Sequence, residues 1–533
     1  MKRMKLTPAG RFVAFLLIAA IVFGGAFAGW KYFAPVDKDN GVESESMQSN
    51  KVVDKKPSQK PVKVSANTES KKQDGNSGAE INLSLDEWIG WKPVIDGNGG
   101  LTTQPGSIFD NLGIKVNIHI INDADASSNA LIKGDLNAAG YTLNRTAFLS
   151  GKFADAGLDI VMPVFTNYSN GGDGIIALSD IQSVEDLVDA KIGVPKFSEA
   201  QSLIVWFINK SDLTDAQKQQ IISNLVLLDD AEQTGQAFFA GSLDVAATWQ
   251  PYLSNAENST NSHILFDTTS SNKLIMDGIV FRADFAQEHA DVVSKFIDGI
   301  FQAEEMYNTD FTYIRQAMPM FADSTDEEIR DMCGDAGLMG YAENMAALED
   351  DCPVVFADMC SVWESIGENV DRPLGATLFD TSYMSTLSDK YSSLIEPEKI
   401  VITEEQKEAA VDVPSMLSKS CTIEFFPDTA KFMDNVEATK VLDEFVEIAR
   451  VLDGTIIQIE GNANFAGHTY SNDALTTNRA KTVKNYFVAC GIDSSRIIVV
   501  GNGNSKMLVD PNGTTAETMP NRRTDIFFKT IGA

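Results

Sequence analysis

SVEDLVDAKIGVPKFSEAQSLIVWFINK, residues 183–210, decides the fold class. SVEDLVD (183–189) is amphipathic and helix-like, and KIGVP (191–195) is a short apolar run of strand length. AQSLIVWFINK (200–210) returns to helical spacing, with Phe197-Ser198-Glu199-Ala200-Gln201 at its N-terminus. The same alternation extends on both sides. INLSL (81–85), IKVNIHII (114–121), AAGYTL (138–143), DIVMPVF (159–165) and GIIAL (174–178) read as strands. So do LVLL (225–228), VAATW (245–249) and GIVF (278–281), with TDAQKQQIISNL (214–225) and EQTGQAFFAG (232–241) as helices. Strands alternating with helices predict a mostly parallel sheet covered on both faces. From Asp284 the pattern turns helical: 288–306, then STDEEIRDM (324–332), with Ser324 expected as N-cap and Glu327 closing a capping box, then about 342–394.

Short matches along this order carry a resemblance. LSLDEWIGWKPVIDGNGGL (83–101) is a strand and an aromatic turn, INDADASS (121–128) a polar turn, and KGDLNAAGYTL (133–143) a small-residue segment. With SVEDLVDAKIGVP (183–195) and AFFAGSLDVAATWQPY (237–252), they resemble extracytoplasmic solute-binding proteins of the taurine, sulfonate, nitrate and thiamine-precursor type. The resemblance covers about 80–395 and implies a bilobal, type II periplasmic-binding-protein-like α/β domain over 80–398, closing over a small solute.

In such a trap, strand ends and helix N-termini face the cleft, where backbone N–H groups and helix dipoles favour anions. The candidate ligand contacts are Trp88, Trp91, Asp123, Asp125, Ser127, Thr142, Ser198, Gln201, Trp249 and Asp277. A Ser or Asp opening a helix also serves simply as an N-cap. Arg145 is the sole Arg between 80 and 280, so a guanidinium clamp on an anion has to come from it or from Arg282. Aromatic and acidic side chains equally suit a cationic or heteroaromatic solute, and the sequence leaves that choice open.

Beyond a charged connector at 399–415, a second unit spans 416–533. CTIEFFPDTAKF (421–432) reads as a strand and turn, and ATKVLDEFVEIARVL (438–452) puts Val441, Leu442, Phe445, Ile448 and Leu452 on one helical face. TIIQIEGNAN (455–464), LTTNRAKTVKNYFVAC (475–490), RIIVVGNG (496–503) and RTDIFFK (523–529) complete a β-α-β-α-β-β order. IQIEGNANFAGHTYSNDALTTNRAKTVKNYFVACGI followed by NRRTDIFF closely resembles the small α+β OmpA-like peptidoglycan-associated domain. The resemblance implies wall-peptide contacts at Asn464, Asn472, Arg479 and Arg522. Asn464 stands where the family has an Asp that binds the peptide ammonium. An Asn keeps the hydrogen bond but not the charge, a loss of about 1–2 kcal/mol.

Lys2, Arg3, Lys5 and Arg11 precede an uncharged run, Phe12 to Trp30, of 19 residues. At about 1.5 Å per residue this approaches the bilayer core thickness. We expect a cytoplasmic basic tail (1–11), a transmembrane helix (12–33) and a flexible linker (34–79) without a single aromatic residue. A cleaved signal peptide at Ala26-Phe27-Ala28 is the alternative, and either exports the remainder.

The chain has 533 residues, 75 acids against 43 bases and a formal charge of −32, which disfavours nucleic acid. Its 5 Cys and 4 His lack metal-site spacing, and no nucleophile motif is present, so neither cofactor, metal nor enzymatic activity is expected. GNGNSK (501–506) lacks a phosphate-loop ending, and DGNGG (96–100) reads as a turn. The expected protein is a membrane-tethered solute receptor partnered with an ABC-type permease and with peptidoglycan. A structural envelope tether whose trap-like domain docks a protein is the alternative.

Overall fold

The fold comes from a computed structural model, which describes residues 79–391 except 272, and 402–530 except 412, 414, 427, 428, 465–468 and 515. The basic tail, the predicted membrane segment and nearly all of the linker lie outside the described residues. Among the described residues, no helix is long and apolar enough to cross a membrane.

The first sheet contains β1 (Glu80–Leu85), β2 (Lys115–Ile120), β3 (Ala138–Thr142) and β4 (Ile160–Ser169). The chain then enters a second sheet with β5 (Asp173–Leu178), β6 (Ile192–Pro195), β7 (Val226–Leu228), β8 (Val245–Trp249) and β9 (Ser262–Asp267). It returns to the first with β10 (Met276–Arg282) and β11 (Ala336–Leu338). The orders are β11-β4-β10-β3-β1-β2 and β7-β6-β8-β5-β9.

Both sheets are mixed, which corrects the mostly parallel expectation. β1 pairs in parallel with β2 and β3, but β10 runs antiparallel to β3 and β4, and β11 antiparallel to β4. In the second sheet β6 is parallel to β7 and β8, whereas β5 is antiparallel to β8 and β9. The reason is topological. A chain that leaves one sheet at the end of β4 and comes back along β10 must travel in the opposite direction, so the return strand inserts antiparallel beside the exit strand. Two adjacent crossings, 170–172 and 268–275, therefore join two lobes.

The strand β9 has no counterpart in the sequence reading, because His263 and the flanking Ser262 and Asp267 dilute its apolar run. The helix cap in 324–332 also shifts by one residue. Thr325 is the N-cap and Glu328 completes the box, while the Ser324 carbonyl accepts from Arg315 Nε at 2.9 Å. Both Ser324 and Thr325 have an acid three residues on, so spacing alone did not separate them.

The helix Glu199–Lys210 is buried from Ala200 to Ile208, because it is covered on more than one side. The helix Cys352–Ser365 lies against it, with Asp358 accepting from Trp206 Nε1 at 3.0 Å and Lys210 Nζ at 2.8 Å. Trp363, on the same helix, donates to the Asn144 carbonyl at 2.9 Å in the first lobe. This late helix straps both lobes together.

The C-terminal sheet has the order β12-β15-β13-β14, from β12 (Leu417–Cys421), β13 (Thr455–Asn462), β14 (Ile497–Gly503) and β15 (Thr524–Thr530). Helices Asn435–Val451 and Thr469–Ala489 accompany it, and Leu442, Phe445, Ile448 and Leu452 are buried as their spacing predicts. The first strand ends where the sequence reading began it, at Cys421, since its antiparallel register against Thr524–Phe528 starts at Leu417. Phe425 and Phe432 form only an isolated bridge.

Candidate functional site

The lobes meet where the N-terminal ends of two helices converge. Helix Leu143–Ala156 follows β3 in the first lobe and is capped by Thr142, whose Oγ1 accepts from Arg145 N–H at 2.9 Å. Helix Glu199–Lys210 follows β6 in the second and is capped by Ser198, whose Oγ accepts from Gln201 N–H at 3.2 Å. Each cap exists because the strand delivers a hydroxyl in extended backbone just before the first helical turn.

A charged bridge closes the gap. Arg145 Nε and Nη2 donate to Glu199 Oε1 and Oε2 at 2.9 and 2.7 Å, and Thr142 Oγ1 donates to Glu199 Oε1 at 2.9 Å. Beside it Asn144 Nδ2 donates to Ser202 Oγ at 2.9 Å, and the Phe148 and Phe197 rings stack with centroids 5.2 Å apart. Phe197 holds φ at 55°, in the left-handed region that a non-glycine residue rarely adopts. Gln201 Oε1 accepts the Phe197 N–H at 2.5 Å and stabilises that turn.

Acidic groups surround the bridge. Asp86 follows β1 and accepts from Trp91 Nε1 at 2.6 Å. Asp173 opens β5 and accepts from Ser169 Oγ at 2.8 Å. Asp277 lies in β10, paired in register with Thr142 and Asn167. Burial pushes Asp86 up, against the Trp91 hydrogen bond and the pull of Arg145. Burial, then the charges of Glu199 and Asp335, push Asp173 to about 7. Burial followed by repulsion from Asp86, Glu199 and Asp173 raises Asp277 well above the carboxylate range. Glu199 alone goes the other way. Burial disfavours its charge, but Arg145 outweighs that and holds it below its usual range. Buried carboxyls this close cannot all ionise without cations.

A cavity of about 10 Å³ remains, lined among others by Ser84, Asp86, Ser127, Tyr141 and Arg145. That is room for about one water, and the residues that line it all belong to the first lobe. Ser84 Oγ is buried there without a hydrogen-bond partner.

The predicted contacts separate into groups. Thr142 and Ser127 line the bridge and the cavity, Ser127 Oγ lying 2.8 Å from the Tyr141 hydroxyl, and Asp277 joins the acidic cluster. Trp88 is half-buried and donates to Asn167 Oδ1 at 2.9 Å, beside the first crossing at Gly172. Trp91 is a core residue that reaches the site only through Asp86. Asp123 is an exposed N-cap and Asp125 an exposed partner of Lys152 at 2.9 Å. Ser198 and Gln201 shape the Phe197 turn, and the exposed Trp249 ends β8 opposite Asp173.

Sequence reasoning passed over Glu199, Asp86 and Asp173 as ligand contacts. Their one signal was position, each next to the end of a predicted strand. Arg282, the alternative clamp, is occupied by Asp284 and the Leu131 carbonyl, at 2.7 and 2.8 Å.

In the C-terminal domain, Asn464 Oδ1 accepts from Asn521 Nδ2 at 2.8 Å and its own amide donates to the Pro511 carbonyl at 3.3 Å. Arg479 Nε donates to the Thr429 carbonyl at 3.1 Å, with the guanidinium 4.9 Å from the Phe425 ring centroid. Arg522 caps the short turn Met519–Asn521, half-buried. Asn472 falls in helix Thr469–Ala489, and its side chain lies outside the described residues.

Residues 425–522 match the OmpA family. A 90-residue stretch is 34% identical to outer membrane protein A of Bordetella avium, covering 17% of this chain and 46% of that protein. The match thus spans about half the length of that curated relative. The preceding part is similar to the periplasmic aliphatic sulphonate binding protein SsuA of Escherichia coli, at 13% identity and a TM-score of 0.45, over 58% of this chain and 100% of that one. It is also similar to the periplasmic nitrate-binding protein NrtA of Synechocystis PCC 6803, at 9% identity and a TM-score of 0.44, over 60% and 91% of the two chains. The chain combines a two-lobed, mixed α/β part with a C-terminal domain in which residues 425–522 match the OmpA family.

Proposed function

We propose that this protein is an extracytoplasmic solute receptor, held at the membrane by residues 12–33 and at the cell wall by its OmpA domain, that delivers a small molecule to an ABC-type permease. The observation that carries the reading is the pair of lobes joined by two adjacent crossings and bridged by Arg145–Glu199 over a polar cleft. A hinge of two short segments lets lobes part and close as bodies, the motion a solute trap requires. The polar 34–79 segment would act as a leash, keeping such a trap close to its permease while leaving it free to close. Titration calorimetry of the full chain with sulfonates, nitrate, phosphonates, polyamines and thiamine precursors tests the reading. Binding of one class at micromolar affinity supports it, and silence across the whole set overturns it.

The small cavity beside the Arg145–Glu199 bridge, about 10 Å³, favours a second reading, a structural envelope tether whose lobed part docks a protein. A shut state that never opens would go with it. Exchange of the Arg145 and Glu199 backbone amides on the seconds scale separates a working trap from such a fixed block.

A further inference from the structure

Four carboxyls and one guanidinium influence one another electrostatically where the two lobes meet. Asp86 and Asp277 come from the first lobe, Glu199 and Asp173 from the second, and Arg145 is the guanidinium among them. The Nε and Nη2 edge of that guanidinium is already on Glu199. An incoming anion would share the guanidinium with Glu199 and meet four carboxyls beside it. An incoming cation meets the opposite situation.

A second, independent observation is Ser84. Its side chain is 1% exposed, its Oγ has no partner, and it lines the cavity with Asp86 and Arg145. A buried hydroxyl without a protein partner is uncommon in folded proteins and offers a donor and an acceptor to a small bound group. Leu85, Ile121 and Tyr141 line the same cavity, so a group bound there has apolar neighbours as well.

We propose that the solute is an organic cation whose ammonium or guanidinium takes the place of the Arg145 guanidinium against Glu199, with Asp86 and Ser84 Oγ as further acceptors. The inference rests on the solute-capture reading. With the two lobes bridged, Arg145 acts as an internal stand-in for the ligand head group. Opening withdraws it, the solute cation enters, and closure re-forms the same charge-assisted contacts with the solute as donor. The raised Asp173 and Asp277 carboxyls can lose their protons to balance an added positive charge.

Titration calorimetry on the full chain, with spermidine, agmatine and choline in one arm and ethanesulfonate, nitrate and methylphosphonate in the other, tests this. We expect binding in the cation arm only. Glu199→Gln should weaken it at least 30-fold, and Asp86→Asn at least 10-fold, in variants whose circular dichroism matches wild type. Arg145→Ala should tighten cation binding, since it removes the internal competitor, and unchanged or weaker cation binding would overturn the stand-in role. Binding of an anion that Arg145→Ala abolishes would overturn the charge assignment and leave solute capture standing. Silence in both arms would overturn solute capture and this inference with it.

Discussion

Arg145 on the first lobe and Glu199 on the second form a two-pronged ion pair, at 2.9 and 2.7 Å, across the mouth of the cleft. The side chains remain 21% and 16% exposed, so the pair is only partly screened by water. Helix Glu199–Lys210 places its carboxylate at the positive end of its own dipole, while Arg145 sits at the unfavourable end of helix Leu143–Ala156. The guanidinium therefore depends on Glu199, and the bridge acts as a latch between lobes.

Removing the latch should open the trap. Arg145→Gln leaves the Thr142 hydrogen bond but deletes both charge-assisted ones, worth about 1.5–3 kcal/mol together with the charge. The open population should rise by roughly 10–100-fold. Fluorescence energy transfer between labels on the two lobes measures it, and an unchanged distance distribution would refute the latch.

Stability should fall as pH rises across the neutral range. A carboxyl whose folded pKa is raised binds its proton more tightly folded than unfolded, so its stabilisation is complete below the unfolded value and is lost on the way up to the folded one. Asp173 goes from 3.8 to about 7, Glu304 from 4.5 to about 8, and Asp335 from 3.8 to about 6, burial leading in each. Thermal denaturation should give a lower melting temperature at about pH 8 than at about pH 5, and Asp173→Asn should flatten part of that slope.

The C-terminal domain sits on one of the two crossings. Gly454 N–H donates to the Ser270 carbonyl at 3.1 Å, and Ser271 Oγ donates to the Val451 carbonyl. A Cβ at Gly454 would lie 2.4 Å from the Thr269 carbonyl oxygen, a backbone atom that cannot step aside. Gly454→Ala should part the two surfaces. Limited proteolysis should then cut the 402–411 segment faster, at an unchanged fold of each part by circular dichroism.

Asn464→Asp places a charge at the position proposed to meet the wall peptide. It keeps acceptance from Asn521 but sets a carboxylate oxygen against the Pro511 carbonyl, costing about 1 kcal/mol of stability. Sedimentation with purified peptidoglycan should show about tenfold tighter binding for Asn464→Asp and loss of binding for Arg479→Ala. Equal pelleting of all three proteins would exclude specific wall recognition.

Strand and helix positions were legible from local pattern. The runs at 81–85, 138–143 and 245–249 became β1, β3 and β8, and the helical face of Leu442, Phe445 and Ile448 became core. These depend on side-chain periodicity, which neighbours in the chain set. The C-terminal domain was legible for another reason, as its spacing matches a specific motif over residues 425–522.

Direction and partnership were not legible. Whether β10 runs parallel or antiparallel depends on where the chain has been since β4, more than a hundred residues earlier. The same holds for Arg145 and Glu199, which are 54 positions apart and belong to different lobes. Sequence alone determined most of the strands and helices, because those are short-range choices of propensity and hydrogen bonding, though it missed β9 and set the 324–332 cap one residue early. Only the tertiary structure decided which charges meet, because two crossings bring two lobes face to face and burial then makes each carboxyl answer to the others.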